Sequence, residues 1–183
     1  MKLFFFRRNQ IMKQSNLTPI GVPVLNQKAL FLGKGKIKFG KNVNIGYFPS
    51  AEFFSTYAHI EARNISSYIF IDDDTYINNN CNIVSDGGSI HIGKNCRIGI
   101  NFTCFDSDFH GLTIKDRDNS ETIVRKDVYI GDNVFIGNNV MILKGVTIGS
   151  GAVIAAGSVV TNDIPQNTIG GGNPCKILRK IEN

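Results

Sequence analysis

Aliphatic residues recur at every sixth position between residues 130 and 165 of this 183-residue chain. The recurring positions are Ile130, Ile136, Ile142, Ile148, Ile154 and Val160. An α-helix repeats about every 3.6 residues and a simple strand about every 2, so neither period explains matches at spacing six. The chain must therefore build a structure whose own repeat is six residues long.

Shorter runs with the same spacing lie upstream. They comprise Ile37 and Val43, then Ile71, Ile77 and Ile83, then Ile92, Ile98, Cys104 and His110. Small residues follow many of these positions, as Gly131 and Gly137 do, and small residues fit sharp corners. The pattern predicts short strands joined by corners, with three strands to a coil and the aliphatic side chains stacked inside. Hexapeptide repeats of this kind are typical of a parallel β-helix.

An antiparallel sandwich of short strands is the alternative, because it too would be rich in glycine and asparagine. A sandwich has no reason to keep one phase over six successive repeats. The spacing therefore favours an all-β chain folded as a parallel β-helix.

Composition limits the partners and the compartment. The formal net charge of +5 tolerates anionic ligands, but no long basic run or interleaved aromatic pattern indicates a nucleic acid partner. The apolar run near the start has four residues, between Lys2 and Arg7, which is too short for a secretion signal or an integral membrane segment. The four cysteines lack the paired spacing of a zinc site, so we expect reduced thiols, no metal and a cytoplasmic location.

The chain divides into three segments on these patterns. Residues 1–34 are predicted to pack on the solenoid or to lead into it, and residues 35–165 to form the solenoid itself. Residues 166–183 form a tail in which Asn173 and Pro174 resemble the start of a helix. A short C-terminal helix there would cover the open end of the coil.

The repeat is interrupted after His110, since the next position of a regular run is Ile130, 20 residues later, and 20 is not a multiple of six. We therefore expect a loop over about residues 111–125, and loops on regular scaffolds concentrate binding and catalysis. Histidine is a suitable general base near neutral pH. His110 is the best candidate, because His91 has an outward strand position and His59 lies in an irregular region. The alternative is a structural histidine at the base of the loop.

Three stretches of the chain carry a family resemblance. They are DSDFHG, YIGDNVFIGNNVMILKGVTIG and AVIAAGSVVTNDIPQNTIGGGNPCKILRKI. Together they resemble the hexapeptide-repeat acyltransferases, in the branch of galactoside, maltose and surface-polysaccharide O-acetyltransferases. The resemblance implies a left-handed β-helix, a homotrimer with active sites between neighbouring subunits, acetyl-CoA as the donor and a carbohydrate acceptor. The left hand runs against the usual crossover rule and follows from the resemblance alone.

The same resemblance assigns site residues. The catalytic base falls on His110, and the acceptor side falls on Asn79, with Asn80 as the competing position, and on Asp86. Asparagine is also common at coil corners for conformational reasons, so a structural role for Asn79 stays open. The coenzyme contacts fall on Asn138, Ala156, Thr161, Asn162, Lys176 and Arg179. For the last two, a solvated helix face is the alternative.

The resemblance implies O-acetylation of a sugar or of a surface polysaccharide such as a capsule, an O-antigen or a sialic-acid-containing glycan. The alternatives are an antibiotic acetyltransferase of the chloramphenicol or streptogramin type, an amino-sugar N-acetyltransferase and a non-catalytic β-helix that binds a sugar or a protein. A zinc carbonic anhydrase needs three histidines, two of them close in sequence. The gaps here are 32 and 19 residues, which argues against it.

Overall fold

The structure is a computed structural model, and it describes residues 11–182. Within those residues the chain forms short strands and one 3₁₀ helix, Ser120–Thr122. In chain order the strands are β1 (Val24–Leu25), β2 (Ala29–Gly33), β3 (Lys36–Phe39), β4 (Asn44–Ile45), β5 (Ala58–Ala62), β6 (Tyr68–Ile71), β7 (Tyr76–Ile77), β8 (Asn82–Ser85), β9 (Ser89–Ile92), β10 (Arg97–Ile98), β11 (Thr103–Phe105), β12 (Val128–Ile130), β13 (Phe135–Ile136), β14 (Met141–Ile142), β15 (Thr147–Ile148), β16 (Val153–Ile154), β17 (Val159–Val160), β18 (Thr168–Gly171) and β19 (Lys176–Lys180).

The strands form three sheets, which are the three faces of a coil. The first face contains β2, β5, β8, β11, β14 and β17, and the second contains β3, β6, β9, β12 and β15. The third contains β1, β4, β7, β10, β13, β16, β18 and β19. From β2 to β17 successive strands pass from face to face, and strands on one face pair in parallel. The predicted all-β, left-handed parallel β-helix is confirmed.

The core is a narrow column of aliphatic side chains inside the coil. All six repeat positions of the regular run are 2% exposed or less, as predicted from their spacing. Asparagines with positive φ occupy several coil corners, where few other residues fit; they include Asn95, Asn101, Asn133 and Asn139. His110 departs from its repeat, because the chain has left the coil there and the side chain is exposed.

Strand pairing extends upstream of residue 35, the predicted start of the solenoid. Strands β1 and β2 both lie in the sheets, and Ile11 and Ile20 form isolated parallel bridges with Ala29 and Lys38. The described part of the N-terminal segment therefore packs along the coil. Its first ten residues lie outside the described residues.

The predicted C-terminal helix is wrong. Residues 172–175 form a turn, and β19 returns antiparallel to β18. The asparagine and proline of that turn are local helix-start signals, but β18 leaves the last coil with an unpaired edge. Pairing satisfies the backbone groups of that edge, so tertiary context overrides the local signal.

Two excursions leave the coil at the borders of the first face. Residues 46–57 lie between β4 and β5, and residues 106–127 lie between β11 and β12. The second contains the loop predicted at about 111–125, together with the 3₁₀ helix. Within residues 11–182, no helix has the length and apolar character needed to cross a membrane. The two excursions rise on either side of one exposed sheet surface.

Candidate active site

A cleft of about 720 Å³ lies on the first face between the two excursions. Such a volume is typical of small-molecule sites. Outward side chains of β5, β8 and β11 form its base, and both excursions supply its walls. Its members include Tyr57, His59, Glu61, Asn82, Phe105, Phe109 and His110.

His110 lies in the wall formed by the second excursion, and its side chain is exposed. Its Nδ1 is 3.2 Å from the backbone carbonyl oxygen of Arg117. A carbonyl oxygen can only accept, so this contact requires the proton on Nδ1 and leaves the lone pair on Nε2. In the neutral imidazole, this contact selects the tautomer that can take a proton at Nε2.

The base of the second excursion is anchored by Asp106, which is buried. Its carboxylate accepts hydrogen bonds from the Ser85 hydroxyl at 2.7 Å, from the backbone N–H of Asp86 at 2.7 Å and from that of Gly88 at 3.0 Å. Burial raises the pKa of Asp106, and these three donors oppose the rise. One side chain therefore ties the start of the loop to the preceding coil.

Phe109, the residue before His110, has an uncommon backbone conformation, with φ of 61°. Its N–H donates to the Ser107 hydroxyl oxygen at 2.8 Å. Its ring packs edge-on against Phe105, with centroids 5.1 Å apart, and the Arg63 guanidinium lies 5.0 Å from the ring centroid. These contacts fix the backbone from which the His110 side chain extends.

Asn79 lies beneath the first excursion and is fully buried. Its Oδ1 accepts from the backbone N–H of Tyr47 at 2.9 Å, and its Nδ2 donates to the carbonyl of Ala51 at 2.7 Å. The side chain thus holds the excursion and does not line the cleft. Asn80, the competing position, does line it, although its Nδ2 donates to Asn101.

Asp86 is also buried, beneath the second excursion. Its Oδ2 lies 3.3 Å from Nη2 of Arg125 and accepts from the Ser107 hydroxyl at 3.3 Å. Its Oδ1 lies 3.7 Å from Nη1 of Arg63. The structure therefore places Asp86 behind the cleft, where it ties loop residues to the coil.

Asn138 and Ala156 occupy neighbouring coils at the corner between the third and first faces. Oδ1 of Asn138 accepts from the backbone N–H of Ile100 at 3.0 Å. Beside Ala156, Gly157 has φ of 74°, and apart from its chain neighbours no described residue has an atom within 4 Å of the place where its Cβ would stand. This corner therefore offers open space along the coil edge, which fits a thin chain such as the pantetheine arm of coenzyme A.

Lys176 and Arg179 lie on β19 and not on a helix, yet they share one side of the hairpin. Lys176 is paired with Gly171 and Arg179 with Ile169, because a bulge interrupts the register between them. Residues two positions apart on β18 point to the same side, and so do their cross-strand partners. Two exposed cations therefore project together from the end of the third face.

The family model for bacterial transferase hexapeptide repeats matches residues 127–162. A candidate acetyltransferase of Saccharomyces cerevisiae is 44% identical over 115 residues, which cover 63% of this chain and 57% of that relative. The solved structure of a maltose O-acetyltransferase from Clostridium difficile 630 is 30% identical, covers 87% of this chain and 72% of its own, and has a TM-score of 0.54. The chain belongs to the hexapeptide-repeat acetyltransferases.

A second structure, a hexapeptide-repeat acetyltransferase of Vibrio cholerae O1 in complex with acetyl coenzyme A, is 29% identical. It covers 88% of this chain and 72% of its own, with a TM-score of 0.54. The present chain spans about 57% of the length of its curated relative from yeast.

A single chain does not bring all the predicted residues together. None of the six coenzyme candidates lines the cleft that contains His110. Thr161 and Asn162 follow β17 on the last coil, where Nδ2 of Asn162 donates to Oγ1 of Thr161 at 3.0 Å. The cleft with His110 and the residues predicted to contact the coenzyme are thus separate parts of one chain.

Sequence reasoning missed most residues of the cleft, among them Glu61, Arg63, Asn82 and Phe109. The sequence did contain a sign that two of these residues point outward, because His59, Glu61 and Arg63 alternate with the buried Ile60 and Ala62. Alternation shows that such residues point outward, but it does not show which of the three faces carries a cleft.

Buried thiols do not supply a nucleophile to this cleft. Burial raises the pKa of Cys81, which borders the cleft, to about 12. Burial also raises the pKa of Cys104 above its ordinary range. Since the thiolate is the reactive form, both side chains act as small core residues.

Proposed function

We propose that this chain is an acetyl-CoA-dependent O-acetyltransferase that acts on a hydroxyl of a sugar or a surface polysaccharide. The observation that carries the proposal is the orientation of His110. Its Nδ1 contacts a backbone carbonyl oxygen, and its Nε2 is left as a base beside a cleft large enough for a sugar. Family membership supports acetyl transfer as the reaction.

In the proposed reaction, Nε2 of His110 takes the proton of the acceptor hydroxyl while that oxygen attacks the carbonyl carbon of the thioester. A C–O bond forms, and the carbonyl oxygen becomes an oxyanion. When the oxyanion collapses, the C–S bond breaks, and the proton on Nε2 passes to the leaving thiolate. The products are the acetyl ester and free coenzyme A, and His110 returns to its neutral form.

The coenzyme is proposed to lie along the corner at Asn138 and Ala156, with its phosphates near Lys176 and Arg179. Open space beside Gly157 and two cations on one side of the hairpin support this position. Thr161 and Asn162 complete the proposed set on the last coil. Guanidinium and ammonium groups are suited to a ligand of high negative charge.

We further propose that the working form is a homotrimer. The cleft with His110 contains none of the coenzyme candidates, so a second copy is needed to bring the two surfaces together. At acetyl-CoA concentrations well below the wild-type KM, mixed assemblies of His110→Ala with a Lys176→Gln, Arg179→Gln double variant should turn over faster than either variant alone, since some interfaces then combine two intact surfaces. Sedimentation of a monomer that is fully active would contradict this part of the proposal.

The direct test is mass spectrometry of the purified protein with acetyl-CoA and a panel of sugars and oligosaccharides. We expect a gain of one acetyl group on a carbohydrate, released by mild alkali because the product is an ester. An alkali-stable product on amino sugars or on antibiotics would instead show N-acetylation or antibiotic modification. If no acceptor is acetylated and acetyl-CoA does not bind, the chain is a non-catalytic β-helix protein.

A further inference from the structure

A fixed carboxylate lies at the base of the cleft. Oε1 of Glu61 accepts from Nε of Arg63 at 2.9 Å, and its Oε2 accepts from Nη2 of Arg63 at 3.3 Å. Nε2 of His59 is also 3.3 Å from Oε2. The hydrogen bond from Arg63 is the main cause that lowers the pKa of Glu61. Glu61 is therefore negatively charged at neutral pH.

The guanidinium of Arg63 is already paired. Besides the two bonds to Glu61, its Nη1 lies 3.7 Å from Oδ1 of Asp86, and its Cζ lies over the ring of Phe109. Of the described residues that line the cleft, Arg63 is the only lysine or arginine, and Glu61 is the only acid. The cleft thus has no surplus positive charge with which to hold an anionic acceptor.

The remaining groups suit uncharged hydroxyls. Asn82 lies beside His59 on the neighbouring strand, and no hydrogen bond among the described residues engages its side-chain amide. An amide both donates and accepts, as a sugar hydroxyl does. Val84 and Phe105 are paired across β8 and β11 and supply an apolar surface next to it. An apolar surface with a few well-placed polar groups is typical of small-molecule sites.

We propose that the acceptor is an uncharged sugar whose hydroxyls donate to Glu61 and bond to Asn82, and that Glu61 excludes acceptors with a carboxylate in this position. The inference rests on the proposed function and narrows it. Of the acceptor classes that the resemblance implies, it disfavours sialic-acid-containing glycans. A second carboxylate beside Glu61 meets like-charge repulsion, and no unpaired lysine or arginine among the described lining residues of this chain offsets it.

The test compares sugars that differ by one carboxylate: methyl galactoside with methyl galacturonide, and methyl glucoside with methyl glucuronide. Binding to the whole protein is measured by saturation-transfer NMR, and acetyl transfer by thiol release. We expect the neutral member of at least one pair to exceed its acid by about tenfold or more in both measurements. Glu61→Gln should reduce this ratio to about threefold or less, because it removes the repelling charge and frees Arg63.

Glu121→Gln is the matched control, since Glu121 is exposed in the second excursion and lies outside the cleft; it should keep the wild-type ratio. If Glu61→Gln does not fold, Asn82→Ala gives a second test, with an expected loss of roughly fivefold in neutral-sugar binding. Three results would overturn the inference. The first is binding and acetylation of the acids that equal or exceed those of the neutral sugars, and the second is a neutral-to-acid ratio that Glu61→Gln leaves unchanged. The third is that neither neutral sugar binds. Neutral-sugar binding without thiol release would support the inference and overturn the proposed function, whereas transfer to the acids would do the opposite.

Discussion

The regular coils from β12 to β17 and the two excursions are built on different principles. In the coils, every sixth side chain is an aliphatic in the core, and the backbone groups pair from coil to coil. In the excursions, buried polar side chains hold the backbone, with Asn79 under residues 46–57 and Asp86 and Asp106 under residues 106–127. The difference shows that the repeat supplies a rigid surface and that the irregular segments supply the walls of the cleft and His110.

The largest expected effect on stability comes from the coils. Ile136→Ala removes a fully buried side chain from the core column and should lower the free energy of unfolding by about 2–5 kcal/mol. Turnover per folded molecule should be unchanged, because no site residue moves. Chemical denaturation measures the free energy of unfolding, and thiol release divided by the amount of folded protein measures turnover.

Thr147→Ala is the control for this prediction, because Thr147 points outward from β15 and its exposed hydroxyl makes no hydrogen bond among the described residues. It should change the free energy of unfolding by about 0.5 kcal/mol or less. Equal losses in the two variants would contradict the view that the repeat positions carry the stability of the coil.

In the excursions, Asp106→Ala leaves the backbone N–H groups of Asp86 and Gly88 without their acceptor and should cost about 1–3 kcal/mol in the free energy of unfolding. Turnover per folded molecule should also fall, since the loop that carries His110 loses its anchor. Asp118→Ala, in an exposed part of the same loop, should change neither quantity. Normal turnover per folded molecule in the Asp106 variant would contradict the view that Asp106 positions the loop that carries His110.

The pH dependence of stability gives a smaller effect at the same residue. Burial raises the pKa of Asp106 above its ordinary value of 3.8, so the folded chain holds this proton more tightly than the unfolded chain. The contribution of Asp106 to the free energy of unfolding therefore falls as pH rises from the ordinary value through the raised one. Relative to Asp106→Asn, the wild type should lose about 1.4 kcal/mol for each unit of the shift. Parallel pH curves for the two proteins from pH 4 to pH 7 would contradict this.

The smallest expected effect lies on the hairpin at the end of the coil. Lys176→Gln with Arg179→Gln should raise KM for acetyl-CoA by roughly tenfold and leave kcat near the wild-type value, because the two cations are proposed to contact phosphates. Lys180→Gln is the matched control. Lys180 is paired with Thr168, so it lies on the other side of the hairpin. A larger rise in KM for the Lys180 variant would contradict the assigned side.

The coils could be predicted from sequence because one spacing reports directly on one buried column. The spacing also located the second excursion, since His110 and Ile130 fall out of phase. It could not show that Asn79 and Asp86 would be buried supports, because a polar residue at a corner can bind a ligand or a backbone equally well. The C-terminal hairpin was missed because its pairing depends on the free edge that β18 presents in the folded coil, and the local helix signals at Asn173 and Pro174 do not report that edge.

The most direct test of the central claim, that the second excursion supplies the base, is turnover of His110→Ala measured beside its affinity for acetyl-CoA. We predict a fall in kcat of roughly a hundredfold to ten-thousandfold with nearly unchanged coenzyme affinity, because His110 is not among the proposed coenzyme contacts. His91→Ala, on the second face, should retain wild-type turnover. Near-normal turnover of His110→Ala would contradict the account.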